Sequence, residues 1–291
     1  MSAVLAGLEE AGVMSPRECR SLIGTSAGSI VAASLGAGLA PGARLGDLAP
    51  RGRAGAPEDE QRVSPLEGAF ISATQLAGAA AGPLASLAFA STAPGGALLR
   101  RAALRNVPAG RRSLAELGAI VDAAGVTFDG RLRIVAVDVD SGRRVVFGAP
   151  GAPTVSVATA VQASCAIPGV FRPVIAGGHK YVDGGVWSPT NIDAASVADG
   201  ESVLCLNPTG SLRPTRRALA GALGPVSRGL AGSEAVLVRG RGAHVRTINP
   251  DDSSAQAMGT NLMDPRRRQA VIDAGVAQGR RLAAHDRRRA A

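Results

Sequence analysis

The sequence has few of the residues that mark several common functional classes. Only 2% of its 291 residues are aromatic, and Lys180 is its only lysine. Proteins that bind single-stranded nucleic acid stack its bases on aromatic rings, and no aromatic residues are interleaved with the scattered arginines that give the net charge of +9. The composition therefore argues against a nucleic-acid partner, although the chain is strongly basic.

The three cysteines, Cys19, Cys165 and Cys205, lie far apart and form no CxxC pair. This spacing excludes the usual patterns of a disulfide framework or a zinc site, and we expect no metal and no cofactor. The first residues include two glutamates and lack a basic segment ahead of an apolar run, so they do not resemble a secretory signal peptide. These features predict a cytoplasmic protein, with peripheral membrane contact left open.

Predicted strands and helices alternate along the chain. A helix is expected near the N-terminus with Val4, Leu5 and Leu8 on one face, and a hairpin over residues 131–148. Two short apolar runs, "SVLCLNP" and "AHVRTINP", read as buried strands that end at Asn-Pro. This alternation predicts an α/β fold with a largely parallel sheet, in one domain over residues 1–291.

The region 41–112 interrupts this pattern. Residues 41–65 are rich in Gly, Pro and charged residues and predict a loop, whereas residues 68–99 carry no charge. A membrane span normally has a sustained run of large apolar residues, but Pro83 and Pro94 interrupt this segment. We therefore expect an apolar, cap-like insertion. Residues 284–291 are expected to form a basic tail.

Ser26 lies between Gly24 and Gly28 in "SLIGTSAGSIVAASL". This G-x-S-x-G pattern follows a strand candidate and opens a helix candidate, which is the context that a nucleophilic serine on a tight turn requires. The backbone N–H of Ala27 would then donate to a developing oxyanion. A chance match in a chain rich in Gly and Ser is the alternative.

Such a serine needs a base, and the histidines are weak candidates. His285 lies in the basic tail, where it is expected to be solvated. His244 opens a predicted buried strand and reads as structural, and His179 reads as a surface-turn residue. A Ser-His-Asp triad is therefore poorly supported.

Asp183, in "YVDGGVW", is the better candidate for the base. Burial against Val182, Val186 and Trp187 would raise the pKa of its carboxyl group and make it a better proton acceptor. The alternative is an ordinary turn aspartate ahead of two glycines, Gly184 and Gly185. Physical reasoning from the sequence alone does not decide between a catalytic base and a turn aspartate.

Ser26 in "GTSAG" together with Asp183 in "DGG" resembles the patatin-like phospholipase family. The segments "QASCAIPGVFRPV", "VDGGVWSPTNID" and "GTNLMDPRRRQAVIDAGVAQG" are also similar to the corresponding parts of bacterial members. The resemblance implies a three-layer α/β/α sandwich. It also implies a Ser26–Asp183 dyad that hydrolyses lipid acyl esters through an acyl-enzyme.

The sequence departs from the family at its start. Members begin with a strand and a glycine-rich loop that completes the oxyanion hole, whereas this sequence begins within the helix that follows, at "LAGLEEAGV". Either translation was assigned to an internal methionine or this is a degenerate member. We expect a serine acyl hydrolase. The alternatives are an impaired lipid- or partner-binding protein, and an acyltransferase or thioesterase with the same dyad.

Overall fold

Helices and strands alternate along the computed structural model, which describes residues 1–45, 96–211, 223–259 and 264–290. The helices in these ranges are α1 (Ser2–Glu10), α2 (Ala27–Gly36), α3 (Gly96–Asn106), α4 (Ala115–Ala123), α5 (Val157–Cys165), α6 (Leu223–Arg239), α7 (Asp252–Met258) and α8 (Arg268–Ala290). The strands are β1 (Leu22–Thr25), β2 (Leu132–Asp138), β3 (Arg144–Phe147), β4 (Val174–Ala176), β5 (His179–Asp183), β6 (Ser202–Leu206) and β7 (His244–Ile248).

The main sheet contains β1 to β5, and β6 and β7 form a separate parallel pair. The α/β class is confirmed, but the five-stranded sheet is mixed where a largely parallel one was expected. Only β1 and β2 are parallel within it; the pairs β2–β3, β2–β5 and β4–β5 are antiparallel. Short connections join β2 to β3 and β4 to β5. Each of these pairs is a hairpin, and the two strands of a hairpin are antiparallel.

Strand β2 organises the sheet, since three strands pair with it. β3 pairs with residues 134–137, β1 with residues 132–135 and β5 with residues 136–138. Because β3 occupies one edge, β1 and β5 follow one another along the other edge. β1 is parallel to β2 and β5 is antiparallel to it, so the C-terminal ends of β1 and β5 face each other there.

Helices cover both faces of β2, which is buried along most of its length. Leu132, Ile134 and Ala136 point to one face and share a core cluster with residues of α2, α4 and α5. Val137 points to the other face, where it packs with Leu104 of α3. Successive side chains of a strand point to opposite faces of the sheet, so these residues of β2 belong to two different clusters.

Several predicted elements are present with shifted ends. The first helix and the hairpin are found, and β6 and β7 each end before Asn-Pro. The final helix runs to Ala290, so residues 284–290 belong to α8 and do not form a separate tail.

Most of the predicted cap-like insertion, residues 46–95, lies outside the described residues. Its C-terminal part includes α3, a helix that the sequence reading did not separate from the insertion. Among the described helices, none combines the length and the apolar character that crossing a bilayer requires.

Candidate active site

Ser26 lies on the turn between β1 and α2, as its motif predicts. Its backbone has φ 51° and ψ −126°, a region that residues with a Cβ rarely adopt. The Ser26 carbonyl oxygen accepts hydrogen bonds from Ser29 N–H (2.8 Å) and Ser29 Oγ (2.6 Å). The strained residue is therefore held from its C-terminal side by the first turn of α2.

The two glycines of the motif have different structural roles. A Cβ on Gly24 would lie 2.4 Å from the Cα of Ser29 and 2.5 Å from the Gly28 carbonyl oxygen. Strand β1 and helix α2 are thus too close for any side chain at position 24. A Cβ on Gly28 would meet no atom within 4 Å, so steric crowding does not require glycine there.

The Ser26 hydroxyl donates a hydrogen bond to Asp183 Oδ2 at 2.8 Å. The other carboxylate oxygen, Oδ1, accepts from Gly185 N–H at 2.7 Å, and Asp183 N–H donates to the Ala166 carbonyl oxygen at 3.0 Å. A Cβ on Gly184 would lie 2.5 Å from the Val135 carbonyl oxygen. The chain therefore turns sharply after β5 only because residue 184 has no side chain, and this turn fixes the Asp183 carboxylate.

Asp183 is buried, with 5% of its surface exposed. Burial raises the pKa of its carboxyl group from the ordinary 3.8 to about 6, although hydrogen bonds from Gly185 N–H and Ser26 Oγ oppose the increase. At neutral pH the group is still mostly ionised. A carboxylate with a pKa closer to the working pH is a better proton acceptor than an ordinary aspartate.

Ser164 was not singled out from the sequence, although it lies in the "QASC" segment. It is fully buried near the C-terminal end of α5, and its Oγ accepts a hydrogen bond from Ser26 N–H at 2.9 Å. Ser26 is therefore held on its N-terminal side as well. In the sequence, Ser164 is marked only as a polar residue within a mostly apolar helix.

Asn191 is a second residue that the sequence reading missed. It is fully buried in the left-handed conformation, with φ 51°. Its Nδ2 donates to Thr25 Oγ1 at 3.0 Å and to the Ser188 carbonyl oxygen at 2.6 Å. Its Oδ1 accepts from Arg144 at 3.2 Å. Asn191 thus ties the residue before Ser26 to the segment that follows Asp183.

None of the three histidines hydrogen-bonds to Ser26 or Asp183 in the part of the chain that the structure describes. His179 Nδ1 lies 2.9 Å from Asp138 Oδ2, and its side chain is 59% exposed. His285 is exposed, as expected. His244 begins β7, as expected, and it is exposed.

Ser26 directly precedes the first turn of α2, as its N-cap residue. Ala27 is the first residue of α2, and the N–H groups of a first helical turn have no acceptor within the helix. They also carry the positive end of the helix dipole. Among the described residues, no three His, Cys, Asp or Glu side chains come together as metal ligands would.

These observations define an α/β protein with a serine on a strand–turn–helix elbow and a buried carboxylate within hydrogen-bonding distance. The family model for patatin-like phospholipase matches residues 4–196, about two thirds of the chain. The chain belongs to the patatin-like phospholipase family, which groups lipid acyl hydrolases. No curated protein matches the sequence significantly.

Proposed function

We propose that this protein is a serine acyl hydrolase of lipid esters, with Ser26 as the nucleophile and Asp183 as the general base. The observation that carries the proposal is the 2.8 Å hydrogen bond from Ser26 Oγ to Asp183 Oδ2. A nucleophile within hydrogen-bonding reach of its base is the arrangement that covalent catalysis needs.

In the acylation step, Asp183 accepts the hydroxyl proton while Ser26 Oγ forms a bond to the ester carbonyl carbon. The carbonyl oxygen becomes an oxyanion, which the Ala27 N–H and the positive end of α2 stabilise. Asp183 then gives the proton to the leaving alcohol as its bond to carbon breaks. The product of this step is an acyl ester of Ser26.

In the deacylation step, Asp183 accepts a proton from water as the water oxygen attacks the acyl carbon. The proton returns to Ser26 Oγ when the acyl bond breaks, and a fatty acid leaves. An acyltransferase would replace the water by another alcohol, and a thioesterase would start from a thioester. The residues near Ser26 do not favour either variant, so hydrolysis by water is the proposal.

The strained backbone of Ser26 also supports the proposal. Non-glycine residues with positive φ cost of order 1–3 kcal/mol and persist where the surroundings hold them. Here Ser164 and Ser29 hold the backbone on both sides. Strained residues of this kind cluster at active sites.

The test combines a fluorophosphonate probe with hydrolysis of a p-nitrophenyl ester. The wild-type protein should be labelled at Ser26, and Ser26→Ala should lose both labelling and turnover. Asp183→Asn should lower turnover by at least about 10²-fold, the lower range for loss of a general base. Ser233→Ala, which changes an exposed serine on α6, is the control and should behave as wild type.

Two results would contradict the proposal. One is ester turnover by Asp183→Asn at the wild-type rate, which would remove Asp183 from the mechanism. The other is no labelling and no turnover by the folded wild-type protein, which would favour an impaired, lipid-binding member of the family.

A further inference from the structure

A cleft of about 620 Å³ lies on the face of the sheet that carries Arg133, Arg144 and Val146, and neither Ser26 nor Asp183 lines it. Among the described residues that line it, the charged ones are four arginines and two carboxylates: Arg20, Arg133, Arg144, Arg241, Asp193 and Glu201. Four positive and two negative groups leave a formal charge of +2. An anion is therefore the ligand that the cleft favours.

Three of the arginines have partners. Arg144 makes a two-pronged ion pair with Asp193, with distances of 2.5 and 3.0 Å. Arg20 pairs with Glu201. Arg241 donates to the carbonyl oxygens of Asp193 and Ala195 at 3.2 Å each.

Arg133 differs from the other three. It lies on β2 in a half-buried position, and its Nε is shielded from solvent and has no hydrogen-bond partner among the described residues. A charged donor that loses water and gains no acceptor costs free energy. Arg133 therefore lines the cleft with an Nε donor that no described residue satisfies.

We infer that this cleft binds the phosphate group of a small phosphate ester, with Arg133 as its main ligand. A guanidinium group donates two parallel hydrogen bonds to phosphate oxygens, and such charge-assisted bonds are among the strongest in proteins. The cleft is larger than a phosphate ion, and Val146, Pro150 and Val197 supply apolar surface for the carbon part of the ester. Its described lining holds no aromatic ring, so a stacked nucleobase is not the expected group.

The experiment uses the full chain and glycerol 3-phosphate as the probe. Calorimetric titration should show saturable binding by the wild-type protein, and Arg133→Gln should weaken it about tenfold or more, the effect expected for loss of charged hydrogen bonds. Arg172→Gln is the matched control, because it removes the same charge from an exposed site outside the cleft. Its affinity should equal that of the wild type.

A second measurement needs no variant. Glycerol 3-phosphate should protect Arg133 from modification by phenylglyoxal, read by peptide mass spectrometry, and should leave the modification of Arg172 unchanged. No saturable binding by the wild type, equal binding by the two variants, or no protection of Arg133 would each overturn the inference.

A vesicle arm distinguishes a free phosphate ester from a lipid headgroup. Binding to phosphatidylcholine vesicles is compared with and without phosphatidylglycerol, again for Arg133→Gln and Arg172→Gln. If Arg133→Gln loses binding only to glycerol 3-phosphate, the ligand is a free ester. If it also loses binding to vesicles with phosphatidylglycerol, the ligand is a lipid headgroup. These measurements need no ester turnover, so their result is independent of the proposed hydrolase activity.

Discussion

Ser26 and Asp183 are 157 positions apart in the chain, and yet the Ser26 hydroxyl donates to the Asp183 carboxylate at 2.8 Å. The sheet explains this contact. Thr25 pairs with Val135 and Asp183 pairs with Ala136, which are consecutive residues of β2. The serine that follows β1 therefore meets the last residue of β5 at one edge of β2.

The raised pKa of Asp183 predicts the pH dependence of ester hydrolysis. Only the ionised carboxylate accepts a proton from Ser26, so kcat/KM should rise with pH and level off above an apparent pKa of about 6. The measurement is kcat/KM for a neutral ester over the acidic range. An increase of kcat/KM centred near pH 3.8, the ordinary pKa of an aspartate, would contradict the prediction.

The same pKa predicts how stability changes with pH. Because the folded-state pKa is raised, the unfolded chain loses its proton first as the pH increases. The free energy of unfolding should therefore fall between about pH 4 and about pH 6, by up to about 3 kcal/mol from this group. Denaturant unfolding of the wild type and of Asp183→Asn over this range isolates the effect.

The Asp183→Asn variant lacks this titration. The free energy of unfolding of the variant minus that of the wild type should therefore increase as the pH rises, and this difference should stay constant above about pH 6. A difference between the two proteins that does not change with pH would show that Asp183 titrates alike in the folded and unfolded chains.

The two motif glycines should respond differently to alanine. Gly24→Ala places a Cβ 2.4 Å from the Cα of Ser29, and this backbone clash should cost several kcal/mol or prevent folding. Gly28→Ala places a Cβ in open space within α2. It should be neutral or stabilise by about 0.5–1 kcal/mol, since alanine favours helix over glycine. Thermal unfolding of both variants is the measurement, and equal losses would contradict the structure.

Ser164 should act as a positioning residue for the elbow. Ser164→Ala leaves the Ser26 N–H without its acceptor, which costs about 1–3 kcal/mol when the group is shielded from water. We expect kcat and the rate of fluorophosphonate labelling to fall about tenfold with KM unchanged.

Ser34→Ala is the control for this prediction, because it removes a buried hydroxyl of α2 that donates to the Ile30 carbonyl oxygen at 2.8 Å. Equal activity of Ser164→Ala and Ser34→Ala would remove Ser164 from the site.

Much of the local structure followed from the sequence. Periodicity and the positions of glycine and proline predict three elements that the structure contains: the hairpin around Asp140, the helix after Ser26 and the strand before Gly184. These signals act within a few residues, because backbone sterics and side-chain alternation are local. The family likeness of the "GTSAG" and "DGG" segments came from sequence as well.

Local sequence patterns are enough to place Ser26 on a glycine-flanked turn and a carboxylate at the end of a strand. The three-dimensional fold was needed to show that the two side chains touch, that Ser164 binds the Ser26 backbone and that Asn191 binds Thr25. It also shows that Gly24 has no room for a side chain while Gly28 has open space. Contacts of this kind join residues far apart in the chain. They depend on which edge of β2 each strand takes, and no local pattern encodes that choice.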